Sequence, residues 1–327
     1  MKKHDHDHEE GDCCYEMSTQ EVDKLLKEAR EMLQKNPQHV ESVMALVEYA
    51  LSQDEFEQAI ELIDKALKQT PDSYLLLFKK AMILLDEMQD IDLAFPILES
   101  LLNEFIHLSP EEIWQEFDEE IVLDTLLMVI DCYRLKKHFS MAFEMALKLK
   151  EILPQEEAAI LALSTAHFEM GEYKKALFLL EPNIKENEDA DFLWQKAQIY
   201  CAQGEFIEAD LIFKKAYELD EESYHCPKRL SQSEFFSFFE EALDEMPEDL
   251  QEVMKSYSTS IEAIVPHKLI MDNLGKISPL ALATTLSDKP GKHITFFQKN
   301  IENAAVVIDD VKNVIIASLV YELENID

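Results

Sequence analysis

Apolar and polar residues follow a helical rhythm along most of the chain. In VESVMALVEYALSQDEFEQAIELIDKALKQTPDS, residues 40–73, apolar side chains recur every three or four positions on either side of a polar break at Gln53–Asp54. That spacing places one apolar stripe on each of two segments and predicts a pair of amphipathic helices joined by a tight turn. The pattern returns with a period near 34: Pro37 to Pro71 is 34 residues, Ala142 to Ala176 is 34, and Ala176 to Ala209 is 33. Residues 20–36 read as a single leading helix.

Compact residues hold fixed places within the period. Val47, Ala59 and Ala66 mark the first unit, Ser164, Gly171, Tyr173 and Ala176 a later one, and Ala197, Gly204, Phe206, Ala209 and Ala216 the last. The second unit is looser, with Ala81 in phase and Ala94 one residue late. The step from Ala94 to Ala142 is 48, which leaves about fourteen extra residues near HLSPEEIWQEFDEE and predicts an acidic loop or short extra helix within 103–120.

This arrangement resembles the tetratricopeptide repeat, in which small residues at places 8, 20 and 27 let paired helices approach closely and a proline stands at place 32. The resemblance implies a mainly α chain, with a right-handed superhelical solenoid of about five repeats over 20–228. In that family the first helix of each repeat lines a concave groove through places 2, 5, 9 and 12. Carried over, these places give Met44, Glu48 and Leu51, then Leu75, Phe78, Met82 and Leu85. Later repeats supply Leu127 and Asp131, Leu161 and Phe168, and Trp194 and Gln198. The groove so drawn is apolar with scattered acids, suited to another helix or an extended segment. Met44 and Glu48 stand where some relatives need a lysine and an asparagine, so a clamp for a peptide carboxylate is not expected. The alternative is that these side chains pack against the leading helix or the C-terminal part of the chain.

The rhythm stops near Cys226–Ser233. Beyond it, FFSFFEEALDEMPEDLQEVMKS predicts a helix, a break at Pro247 and a short helix. STSIEAIVP and HITFFQKNI predict strands, and DDVKNVIIASLVYELENID a closing helix. With the loop GKISPL, this order resembles a small bacterial zincin-like metallopeptidase family whose closing helix carries H-E-x-x-H-x-x-G-x-x-D. The resemblance implies a small α+β domain over 229–327. Its histidine places fall on Ala317 and Tyr321, the glutamate on Ser318, the glycine on Glu324 and the aspartate on Asp327. Zinc hydrolysis needs two imidazoles one helical turn apart and a carboxylate to activate water, so a pseudoenzyme is expected, with no cofactor. Ala317, Leu319, Val320 and Leu323 are read as core. His267 and His293 are the remaining histidines of this segment.

Charge narrows the partners. The 327 residues hold 67 acids and 30 bases, a formal charge of −37. Such a surface repels phosphate backbones and anionic membranes, and favours a basic or amphipathic protein or peptide. No run of about 18 apolar residues is present, so no membrane span is expected. Five unevenly spaced cysteines suit a reducing cytoplasm. The first 19 residues read as a disordered tail rich in histidine and acids, with His4, His6 and His8 as weak metal candidates beside Cys13 and Cys14. The combined expectation is a non-catalytic adaptor or chaperone of the bacterial cytoplasm. The alternative is a metallopeptidase-related enzyme with unconventional ligands, among them the tail.

Overall fold

The computed structural model describes residues 19–186, 188–285 and 292–324. The chain divides into two compact units between Leu108 and Ser109. The first unit begins with α1 (Thr19–Lys35), followed by α2 (Val40–Leu51), α3 (Phe56–Leu67), α4 (Tyr74–Met82) and α5 (Ile91–Phe105). Helices α2–α3 and α4–α5 form helical hairpins, and Val47, Ala59, Ala81 and Ala94 are fully buried where they meet. Helix α1 packs through Leu26 and Ala29 against Leu46 and Leu62. Its Leu33 also packs against the core that Met44 and Leu51, two residues assigned to the groove, pack against.

The late arrival of Ala94 has a local cause. After α4 the helix widens into a π-turn over Ile83–Glu87, and the Met88 N–H donates to the Ile83 carbonyl at 3.1 Å, five residues back. A π-turn absorbs one extra residue without ending the helix. The hairpin thus closes with its buried alanines still facing each other.

The second unit opens with α6 (Pro110–Glu116), the extra helix of the insertion. It starts at a capping box in which the Ser109 and Glu112 side chains each bond the other's backbone N–H. Three further hairpins follow: α7 (Glu119–Leu135) with α8 (Phe139–Ile152), α9 (Glu157–Glu169) with α10 (Tyr173–Glu186), and α11 (Ala190–Ala202) with α12 (Phe206–Leu219). In four hairpins of the chain the turn closes the same way. Asp54, Lys137, Gly171 and Gly204 take φ of 58°, 56°, 75° and 84°. The next N–H then donates to a carbonyl five residues back, as from Glu172 to His167 at 2.9 Å and from Glu205 to Tyr200 at 3.0 Å. This is the left-handed cap that satisfies the last carbonyls of a helix.

The C-terminal part is α+β: α13 (Gln232–Glu245), α14 (Glu248–Met254), β1 (Tyr257–Glu262), α15 (His267–Asp272), β2 (Ala283–Thr285), β3 (Lys292–Phe297), α16 (Gln298–Ala304) and α17 (Asp310–Glu324). The sheet order is β1-β3-β2, with β1 parallel and β2 antiparallel to β3. The second predicted strand is shorter than expected. It ends at Phe297, and Gln298–Ala304 turns into helix where Gln298 and Glu302 form an i, i+4 pair at 2.6 Å.

Successive side chains of a strand point to opposite faces, and β3 uses both. Ile294 and Phe296 join Phe239, Ile301, Val311, Ile315 and Leu319 in one core. Phe297 joins Val265 and Ile270 with Phe168, Tyr173, Ala176 and Phe192 of the hairpins in another. That second cluster draws on residues from both sides of the expected boundary at 228/229. The C-terminal part shares a core with the last hairpins, so it is not a separate body. The final helix also differs from expectation in detail, for Ala317 is exposed while Leu319 is fully buried.

Candidate functional site

The residues assigned to the groove lie on the first helices of the hairpins, and the two units present them differently. In the first unit Met44, Leu51, Leu75, Met82 and Leu85 are half-buried and Glu48 is exposed. Glu48 pairs with Lys79 at 2.7 Å, one hairpin on. Phe78 is buried and offers little surface.

In the second unit Leu127, Leu161, Trp194 and Gln198 are half-buried and Asp131 is exposed. Phe168 has 0% exposure, enclosed in the cluster with Val265, Ile270 and Phe297. It cannot contact a partner without unfolding that core. Trp194 meets Phe213 at 4.6 Å, Tyr224 at 4.9 Å and His225 at 5.3 Å between ring centroids. Asp131 is tied to Arg134 at 2.9 Å, and Arg134 reaches on to the buried Glu169 at 2.9 Å. Burial pushes the Glu169 carboxyl above its ordinary value, against the pull of Arg134.

The C-terminal part meets these hairpins along their turns. The His267 Nε2 hydrogen-bonds the Gly171 carbonyl at 3.0 Å, and its ring lies 5.1 Å from Tyr173. A Cβ on Gly171 would stand 3.1 Å from the Met271 sulfur and 3.3 Å from His267 and Ile270. At Gly275 a Cβ would fall 2.4 Å from the Ser140 hydroxyl. Lys137 pairs with Glu322 at 3.2 Å and sits 4.5 Å from the centre of the Tyr321 ring. Glu322 also accepts from the Thr285 N–H at 2.9 Å, so it joins β2, α17 and the third hairpin.

A second junction is polar and more deeply buried. Glu302 has no exposed side-chain surface and accepts from Gln298 at 2.6 Å, Lys299 at 2.8 Å, Arg229 at 3.2 Å and the Leu230 N–H at 3.3 Å. Arg229 donates to Asp210 at 2.8 Å and to Asn303 at 2.8 Å, and Asn303 donates to the Cys201 sulfur at 3.5 Å. A buried carboxylate is tolerable only with such a full set of donors. Cys201 and Cys132 are buried free thiols; burial raises both, Cys132 to about 11, so they behave as core side chains.

The described residues at the places where the resemblance would put the metal ligands make other contacts. Ala317 has no donor atom, the Ser318 hydroxyl donates to the Ile315 carbonyl at 2.8 Å, and Tyr321 carries Lys137 on its ring. Asp327 lies outside the described residues, as do His4, His6, His8, Cys13 and Cys14 of the tail. The histidines of this part are engaged elsewhere. The His293 ring nitrogens bond Ser258 at 2.7 Å and Ser260 at 2.8 Å, and His267 bonds Gly171. Among the described residues no group of three or more His, Cys, Asp or Glu is placed to hold a metal ion, and no helix is long and apolar enough to cross a membrane.

Two surfaces escaped the sequence reading. Phe178 on α10 is 76% exposed, and Leu211 and Ile207 on α12 are exposed as well. A cleft beside β1 is the other. Its signal was the FFSFF run at 235–239, where a helix turns Phe235, Phe238 and Phe239 toward one core and leaves Phe236 outside it.

Comparison with known proteins gives distant likenesses of shape alone. No family model and no curated protein sequence matches it. Among solved structures it is similar to YrrB, described as a tetratricopeptide-repeat protein with an unusual peptide-binding site, at 13% identity and a TM-score of 0.45, covering 60% of this chain and 93% of that one. It is similar to MamA of Desulfovibrio magneticus at 12% identity and a TM-score of 0.44, covering 55% and 94%. A thermophilic tetratricopeptide-repeat protein of Thermus thermophilus gives 16% identity and a TM-score of 0.40, covering 62% and 93%. The description of the fold rests on the hairpins themselves, their buried alanines and their left-handed turns.

Proposed function

We propose that this chain is a non-catalytic protein-binding adaptor or chaperone that holds an apolar or basic amphipathic segment of a client against the first helices of its hairpins. The observation that carries the reading is on α2, α4 and the π-turn that continues α4. There Met44, Leu51, Leu75, Met82 and Leu85 remain half-buried beside an exposed Glu48. Flexible apolar side chains with an acid among them suit a helix or strand bearing lysine or arginine, and offer nothing to bond-breaking chemistry. The formal charge of −37 adds long-range attraction for such a client. In this reading the C-terminal part is a zincin-like domain without its hydrolytic centre, kept for the core it shares with the last hairpins. The setting is a bacterial cytoplasm.

The test is affinity capture with the full chain at low and high salt, with captured proteins identified by mass spectrometry and compared with a Met44→Glu/Leu75→Glu variant. The expected result is a defined set of basic clients that the variant loses and that salt releases steeply. Capture indifferent to both salt and the double substitution would overturn the reading.

A further inference from the structure

The sheet leaves one of its long edges open. In the order β1-β3-β2, β1 lies outermost and bonds to β3 on one side only. Backbone groups of alternate residues in a strand point to opposite edges, so half of those in β1 face away from β3. Among the described residues, no hydrogen bond from backbone or side chain reaches that outer side. Proteins usually blunt such an edge with lysine, proline or a bulge. The strand, YSTSIE, has neither residue, and it pairs with β3 in unbroken register from Tyr257 to Glu262.

Beside the open edge lies a cleft of about 230 Å³ lined by Gln232, Phe236, Phe239, Thr259, Ser260 and Ile261. Phe236 is 48% exposed, while its neighbours Phe235 and Phe239 are buried in the core beneath. The cleft therefore offers what strand addition uses: unpaired main chain along one wall and an apolar side chain on the other. Acids outnumber bases around it, although Lys312 pairs with Glu241 and Glu245. Residues 232–262 hold nine acids and one lysine, Lys255, and that lysine pairs with Glu252. Glu240, one helical turn beyond Phe236, and Glu262, at the end of the strand, are exposed and have no ion-pair partner among the described residues.

We propose that the outer edge of β1 and the cleft against α13 bind an extended, lysine- or arginine-bearing segment of a partner protein by strand addition. Charge selects this occupant over a second copy of the chain, which would bring a second Glu240 and Glu262 against the first pair. The site is separate from the hairpin surfaces of the proposed function, and either can fail without the other.

The probe is a labelled decapeptide of alternating lysine and valine, titrated into the full chain by fluorescence anisotropy. It is set beside the same peptide with alternate amides N-methylated and beside a glutamate–valine counterpart. Saturable binding of the first is expected, weaker by roughly tenfold or more for the methylated peptide and absent for the acidic one. Phe236→Glu and Glu240→Lys/Glu262→Lys change exposed side chains only. Each should weaken binding by roughly tenfold, whereas Met44→Glu/Leu75→Glu should leave it unchanged. Three results would each overturn the proposal: no saturable binding, equal binding of the methylated peptide, or loss of binding in the hairpin variant alone. A dimer of the free chain that Phe236→Glu dissociates would also overturn it, by giving the edge to a second copy.

Discussion

The hydroxyl of Ser164 donates a hydrogen bond to the main-chain carbonyl of Ala176, 3.1 Å away across the hairpin of α9 and α10. Both residues are fully buried, and they occupy the two places where the repeat pattern calls for small side chains. The bond measures how closely the helices approach, since a hydroxyl on one backbone reaches the other directly.

Substitution at Ser164 should therefore depend on size more than on polarity. Ser164→Ala loses one neutral hydrogen bond and should cost about 1 kcal/mol. Ser164→Leu must push the helices apart and should cost roughly 3 kcal/mol or more, with the core around Phe168 disturbed as well. Urea denaturation of both variants checks the order. A leucine variant as stable as the alanine one would refute the close-approach argument.

Gly171 and Gly204 fill the same place in adjacent hairpins, with φ of 75° and 84°. A side chain at either costs about 1–2 kcal/mol through the left-handed backbone. At Gly204 a Cβ would meet nothing within 4 Å, whereas at Gly171 it would press on Met271, His267 and Ile270. Gly171→Ala should be the more damaging by about 1 kcal/mol or more, and only it should loosen α15. Amide exchange at Ile270 in the two variants reads this directly.

Much of this architecture was legible in the residues, and the failures have physical causes. Alanine at fixed intervals reported the hairpins because close packing tolerates no larger side chain. Ala94 reported the π-turn as a one-residue delay, though only the backbone shows how the delay is absorbed. Phe168 was misread because helix periodicity says which side chains share a face, and is silent about a sheet arriving from a hundred residues away. The strand at 292–297 was overextended into α16 because Phe296, Phe297 and Ile301 suit either structure; the buried Gln298–Glu302 pair decides for helix. The cleft at β1 depends on which strand lies outermost, a fact of topology that composition does not carry.

Tyr173 is 7% exposed, and its hydroxyl has no hydrogen-bond partner among the described residues. Burial raises the phenol to about 12. The unfolded chain releases the same proton near 10. The stability tied to the neutral phenol is thus complete below about pH 10 and is lost as the pH rises from there through about 12. Tyr173→Phe removes both the unpaired hydroxyl and this titration. It should gain about 1 kcal/mol at neutral pH, and its advantage over the parent should widen above pH 10. Paired thermal melts at pH 8 and pH 11 test this; an advantage that shrinks at the higher pH would contradict it.

Phe296 and Phe297, neighbours in β3, are committed to different cores, and the second commitment sets a limit on how this half of the molecule could change in evolution. A helical array usually grows or shrinks by whole units, because each new boundary looks like the old one. Here a non-repeating element spans two hairpins like a ruler laid across them, sharing a core with Phe168 from one and Phe192 from the next. Inserting or deleting a hairpin between those marks would leave the ruler the wrong length. The number of hairpins beneath it is therefore fixed by geometry.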